Sequence, residues 1–230
     1  MHDDILISLF TKYKFNDNEK TEILSIISNI YMHSEFKRRL TDEFLHHGNI
    51  TLGEHILEDT FKTYKKSKRY KNNDKFDISI ALKISMLHDL YTLPWQNNPD
   101  NKADHFFHYH GFRHPIEAVV NAINWFPEIF TDDEISKKII DGIIHHMYPL
   151  PVSKLKSFNS NMVELKNYEL VNNLSLKQKE IIIWSCKHFR RSKYIEGRLV
   201  SRVDKIVSIR QIKNYQSAKA LITGKNNKIK

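Results

Sequence analysis

The sequence predicts an all-α fold, and three observations predict it. Six glycines and six prolines in 230 residues leave few places where a helix must break. Apolar residues recur at i, i+3, i+4 and i+7 through much of the chain, the period of a helix with one buried face. No segment of useful length alternates apolar and polar residues as a half-buried strand does, and there is no internal repeat.

The elements follow in order. Asn16 with Glu19 forms a capping pattern, and Ile23, Leu24, Ile26, Ile27 and Ile30 follow at helical spacing. Thr51 with Glu54 opens a second helix running to about Lys68. Ile80, Ile84 and Leu87 mark a third, which stops before Pro94. Pro115 is expected in the first turn of a fourth, where its missing N–H costs nothing, with Ile116, Val119, Val120, Ile123 and Trp125-Phe126 behind it. Thr131 and Glu134 are expected to cap a fifth, whose stripe is Ile135, Ile139, Ile143 and Met147. Ser175 and Gln178 precede Ile181 to Cys186, and Leu199, Val203, Ile206 and Ile209 make the last strong helix. Residues 66–77, 97–111 and 148–173 are polar and irregular. The third stretch is long for a connection, so it holds a short helix around 163–170 or forms a flap. The basic end, 223–230, is expected to be a disordered tail.

Composition bounds the function. Hydrophobic residues at 40% and charged residues at 27% suit a chain with a buried core. No apolar run approaches the roughly 18 residues that span a bilayer. Met1-His2-Asp3-Asp4 lacks the basic segment of a secretory leader, so the expectation is a soluble cytoplasmic protein with no membrane partner. A single cysteine, Cys186, excludes an internal disulfide framework and a Cys-rich zinc finger. Lys and Arg exceed Asp and Glu by 36 to 27, a net charge of +9 that favours nucleic acid, nucleotides or phosphorylated metabolites. Each lysine run, taken alone, reads as solvated surface.

The histidines are the informative residues. Seven of the 13 fall between His88 and His146: His88, His105, His108, His110, His114, His145 and His146. The useful test is whether a polar group stands where the helical stripe demands an apolar one. His88 is in register with Ala81 and Ile84, His146 with Ile139 and Ile143, and Asp204 falls between Val200 and Val207. A buried carboxylate costs several kcal/mol unless it is paired or bound to metal. Singly, each has a structural explanation: Asp204 could pair with Lys205 or Arg202, and His88 could be a hydrogen-bonded core histidine. In chain order they make a pattern: a His, then His-Asp, a His, His-His, and a lone Asp.

That pattern resembles the HD superfamily of metal-dependent phosphohydrolases, all-α enzymes named for their His-Asp doublet. The resemblance covers about residues 44–212. It sets His55 in Gly53-Glu54-His55-Ile56 as the first ligand, His88-Asp89 as the doublet, and Asp204 in Ser201-Arg202-Val203-Asp204-Lys205 as the closing aspartate. His114, in Gly111-Phe112-Arg113-His114-Pro115, and His145-His146 resemble the extra ligands of branches with two metals. The segments around His47-Gly48-Asn49, His110-Gly111 and His146-Met147-Tyr148 look closer still to small bacterial HD proteins. The 57 residues between His146 and Asp204 mark an insertion, around 148–195, and the Gly-Tyr-Pro signature of one phosphodiesterase branch is absent. Residues 1–43 find no counterpart and are expected to be a helical extension packed on a core of residues 44–222.

The resemblance implies a chemistry. Histidine and carboxylate donors without thiolate suit Mn, Fe, Co, Ni or Zn. Asp89 could bridge two such ions, with His55, His88 and Asp204 completing one site and His114, His145 and His146 the other. Arg113 is expected to stabilise developing charge, because guanidinium matches phosphate geometry. His110 is the expected proton donor to the leaving oxygen, and Lys205 a secondary phosphate contact. The expectation is hydrolysis of a phosphomonoester or phosphodiester, with a nucleotide as the substrate. A di-iron oxygenase is one alternative. The other is a nucleotide- or nucleic-acid-binding module that keeps its ligands for structure. Trp95, Trp125 and Trp184 are assigned to packing rather than base stacking.

Overall fold

Three reciprocal capping boxes start helices at the positions their sequence signals mark. Asn16 and Glu19, Thr51 and Glu54, and Ser175 and Gln178 each exchange side-chain and backbone hydrogen bonds, satisfying donors that a helix start otherwise leaves orphaned. The computed structural model describes residues 2–94, 110–152, 168–187 and 189–223. Among them are nine helices: α1 (His2–Tyr13), α2 (Asp17–Met32), α3 (Ser34–Arg38), α4 (Leu52–Ser67), α5 (Ile78–Leu87), α6 (His110–Trp125), α7 (Asp133–Ile144), α8 (Leu176–Cys186) and α9 (Ile195–Thr223). The fold is all-α. The expectations for His105, His108 and Trp95, for residues 163–167 of the short helix, and for 224–230 of the tail lie outside the described residues.

Helix α4 is the central element, packed against α1, α5 and α9, while α5 and α9 also meet α7. Its face of Ile56, Leu57 and Phe61 is wholly buried. The amino-terminal helices share that core. Phe10 stacks on Phe61 at 4.7 Å, and Phe15 meets the same ring edge-on at 5.5 Å. Buried Arg39 donates to the carbonyls of Glu35 and Tyr91 and lies over the Trp125 ring at 4.8 Å. It thereby ties α3 to the segment after α5 and to α6. Helices α7 and α9 approach closely at Gly142 and Gly197, where a Cβ on Gly197 would stand 2.7 Å from the Gly142 Cα.

Four features differ from the sequence reading. A short antiparallel ribbon, β1 (Leu45–His47) and β2 (Ile50–Thr51), precedes α4 and turns at Gly48, whose φ of +75° favours glycine. Helix α7 is capped by Asp132, which accepts from the Ile135 N–H at 2.8 Å. Thr131 has αR geometry and closes the preceding 3-10 turn, so it cannot serve as that cap. Pro115 lies inside α6, because the helix includes the turn from His110, which buries Phe112, Arg113 and His114. Their burial offsets the backbone bond that proline removes. On α9 the buried stripe is Leu199, Val200, Val203 and Val207, leaving Ile206 and Ile209 exposed. Among the described residues no helix is long and apolar enough to cross a membrane.

Candidate metal centre

Five helices deliver polar side chains to one buried point. His55 and Asp59 lie one turn apart on α4, so both face the same way. His88 ends α5 as its C-cap, and Asp89 follows it. His114 comes from α6, His146 from the turn after α7, and Asp204 from the buried face of α9. All seven are at most 5% exposed.

The contacts converge on three carboxylates. His55 Nε2 lies 3.3 Å from Asp59, 3.5 Å from Asp204 and 3.9 Å from Asp89. His88 Nε2 is 3.5 Å from Asp59 and 3.6 Å from Asp89 Oδ2. On the other side of the same carboxylate, Asp89 Oδ1 is 3.2 Å from His114 Nε2 and 3.3 Å from His146 Nε2. Among the described residues, the ion-pair partners of these aspartates are all histidines. Asp204 therefore does not pair with Lys205, whose ammonium donates to the His146 carbonyl and to Ser201.

The histidine tautomers are fixed from behind. The Nδ1–H of His88 donates to the Ser85 carbonyl at 2.7 Å, that of His114 to His110 at 3.1 Å, and that of His146 to Ile143 at 2.7 Å. His55 Nδ1 donates to Gln211 Oε1 at 2.9 Å, and the Gln211 amide in turn donates to Glu58. Each ring so held turns its Nε2 toward the cluster, the arrangement found behind metal-ligating histidines. The Nε2 atoms of His114 and His146 stand 3.1 Å apart. Two lone pairs at that distance need a proton or a cation between them. Among the described residues, both oxygens of Asp59 and Nε2 of His88 are buried with no hydrogen-bond partner, which is costly unless another group satisfies them.

The electrostatics show the same strain. Burial alone would lower the His55 imidazole, yet Asp59, Asp204 and Asp89 raise it to about 10. Burial pushes His88 down to about 4, against the pull of Asp89. Asp89 is held well below the carboxylate range because His88, His114 and His146 outweigh its burial. Asp59 is pushed well above that range by burial and by its acidic neighbours. A cation relieves both the buried negative charge and the facing lone pairs.

Two groups, His55–Asp59–His88–Asp204 and His88–Asp89–His146, each bring one donor atom per residue within 4.8 Å of one another and could hold a metal ion. A third joins His46, His55 and Asp89. The donors are imidazole nitrogens and carboxylate oxygens, a set that fits first-row transition metals. Cys186 is buried and belongs to none of the groups.

Of the seven expected ligands, the structure brings together His55, His88, Asp89, His114, His146 and Asp204. His145 goes elsewhere. Its Nε2 is 3.5 Å from Asp141, a buried carboxylate that also accepts from Arg190, Ser192 and the Lys193 N–H. Helix α7 ends at Ile144, so the two histidines of the doublet diverge in the turn that follows. Arg113 is buried in α6 and does not line the cavity over the cluster. His110 does line it, but burial holds its imidazole down to about 3, so it enters as a neutral ring. Lys205 lines the cavity with its N–H groups turned to protein acceptors.

That cavity, about 460 Å³, opens over Asp89, His114 and Asp204. Its remaining wall is largely apolar, from Tyr91, Met147, Pro149, Leu150 and Ile209. Sequence reasoning missed Asp59, Gln211 and His46. Asp59 stands four residues after His55 in register with Leu52 and Ile56, a signal weakened because α4 is buried on most of its sides. Comparison of the chain with protein-family models, with curated proteins and with solved structures finds no match in any of the three.

Proposed function

We propose that the chain is a metal-dependent phosphohydrolase acting on a phosphomonoester or phosphodiester, with nucleotides as the substrate class. The observation that carries this reading is the position of Asp89, whose Oδ2 faces His55 and His88 while Oδ1 faces His114 and His146. A carboxylate flanked in this way suits two ions. His55, Asp59, His88 and Asp204 would serve one, and His114 and His146 the other. Mn, Fe, Co, Ni or Zn all fit these donors. When bound, such ions supply Lewis acidity, polarising a phosphoryl oxygen and lowering the pKa of water.

The protein's own groups supply the rest. Asp89 and Asp204 stay ionised despite burial, and the carbonyls behind His88, His114 and His146 keep those rings from rotating. The apolar wall of Tyr91, Met147, Leu150 and Ile209 excludes water and accepts the organic part of a substrate. As a neutral imidazole, His110 can donate a hydrogen bond to a leaving oxygen but is no strong acid. The net charge of +9 attracts phosphate esters.

The test is hydrolysis of p-nitrophenyl phosphate and of bis(p-nitrophenyl) phosphate by metal-loaded protein. His88→Ala and Asp89→Ala should each abolish both metal retention and turnover, and full activity in either variant sinks the proposal. Iron-dependent O₂ consumption without hydrolysis would favour oxygenase chemistry. A nucleotide recovered intact after long incubation would favour a binding module.

A further inference from the structure

A second cavity, about 400 Å³, lies beside the first and shares Pro149 and Lys205 with it. Its charge is one-sided. Arg191, Arg198, Arg202 and Lys205 line it, and among the described residues no carboxylate does. Arg198, Arg202 and Lys205 are spaced four and three residues apart on α9, so they form one row on one face. The row extends about 10 Å along the helix and ends beside Asp204. Arg191 comes from the preceding loop, and that loop is pinned. Asp141 of α7 accepts from Arg190, Ser192 and the Lys193 N–H on either side of it. Arg198 Nη1 donates to the Lys193 carbonyl at 3.0 Å, which fixes the opposite wall.

Like charges held this close repel one another unless an anion lies among them. Guanidinium groups match phosphate oxygens in geometry and form charge-assisted hydrogen bonds with them. We infer that this cleft is a second phosphate subsite, and that the substrate is a nucleotide carrying another phosphate group apart from the one cleaved. This rests on the hydrolase reading for the first phosphate. The base and sugar would occupy the apolar cavity, one phosphate would face the histidine–aspartate cluster, and the second would cross the Pro149–Lys205 wall into the arginine cleft. Lys205, its N–H groups engaged by Ser201 and His146, contributes charge to both cavities rather than a free donor.

The experiment is calorimetric titration of the full chain, with and without added Mn²⁺, using adenosine 3′,5′-bisphosphate and adenosine 5′-monophosphate as probes. The wild type should bind the bisphosphate roughly tenfold more tightly or better, as one added charge-assisted contact predicts. Arg202→Ala should collapse that difference. Among the described residues Arg202 makes no hydrogen bond or ion pair, so its loss should not disturb the fold. Lys177→Ala, which removes an equal charge at the far end of α8, should leave the difference in place. Equal affinity of the wild type for the two probes overturns the inference, as does a preference that survives both Arg202→Ala and Arg191→Ala. Turnover of p-nitrophenyl phosphate or of bis(p-nitrophenyl) phosphate, each of which has one phosphate, separates the two claims. Its absence alongside a retained bisphosphate preference removes the hydrolase reading and leaves the subsite, and the reverse pattern removes only the subsite.

Discussion

At the residue scale, the side chains that matter are those whose polarity conflicts with their register. His88, His146 and Asp204 stand in apolar stripes and are buried at the cluster, so the conflict was legible in the sequence. Asp59 was obscured because α4 buries most of its circumference, Glu58 included. A helix buried on nearly all sides has no polar face against which an inward acid stands out. Gln211 was illegible for another reason: it acts through His55 and meets the cluster only by a hydrogen bond to the far side of that ring. The His145-His146 doublet gives a direct test, because adjacent residues in a turn cannot point the same way. His146→Ala should lower the metal content of the purified protein, while His145→Ala should keep it and lose stability through the Asp141 network. Elemental analysis and thermal melts of the two variants check this. Equal metal loss in both would return His145 to the ligand set.

At the element scale, the site depends on where helices end and how closely they cross. The capping boxes of α2, α4 and α8 were legible because their signals are local. The extra turn of α6 was not, since the burial of His110 to His114 is a tertiary effect that overrides the local preference of Pro115. The ribbon of three and two residues is too short for any alternation to register. Helices α7 and α9 set the distance between His146 and Asp204, and they touch at Gly142 and Gly197. In Gly197→Ala the new Cβ meets backbone at 2.7 Å and the Ser192 hydroxyl at 2.4 Å, so the helices must separate. The expected loss is about 1–3 kcal/mol of stability, together with weaker metal binding. Denaturant melts and chelator competition read the two effects, and unchanged values in both would show that the crossing does not set the site.

At the scale of the whole molecule, the bundle encloses a buried histidine–aspartate cluster that could hold a metal ion. Ile209 illustrates how a cavity alters the pattern: it follows the helical stripe yet is 55% exposed, because it lines the cavity instead of the core. In chelator-treated protein the buried neutral histidines govern acid stability. His88, His110 and His145 are lowered from 6.5 to about 4, 3 and 4. Below 6.5 the unfolded chain binds protons that these rings do not, so their contribution is fully present above that pH and lost as pH falls toward 4. Asp59, raised, opposes this with a single proton. The melting temperature of the chelated protein should therefore fall between pH 6.5 and 4, and a flat or rising profile would contradict the burial of neutral rings. The central claim is that the cluster around Asp89 holds a pair of metal ions. The most direct measurement is the metal content of protein purified without chelator under nitrogen. The account predicts about two transition-metal ions per chain. A chain that binds none, even after reconstitution, would contradict it.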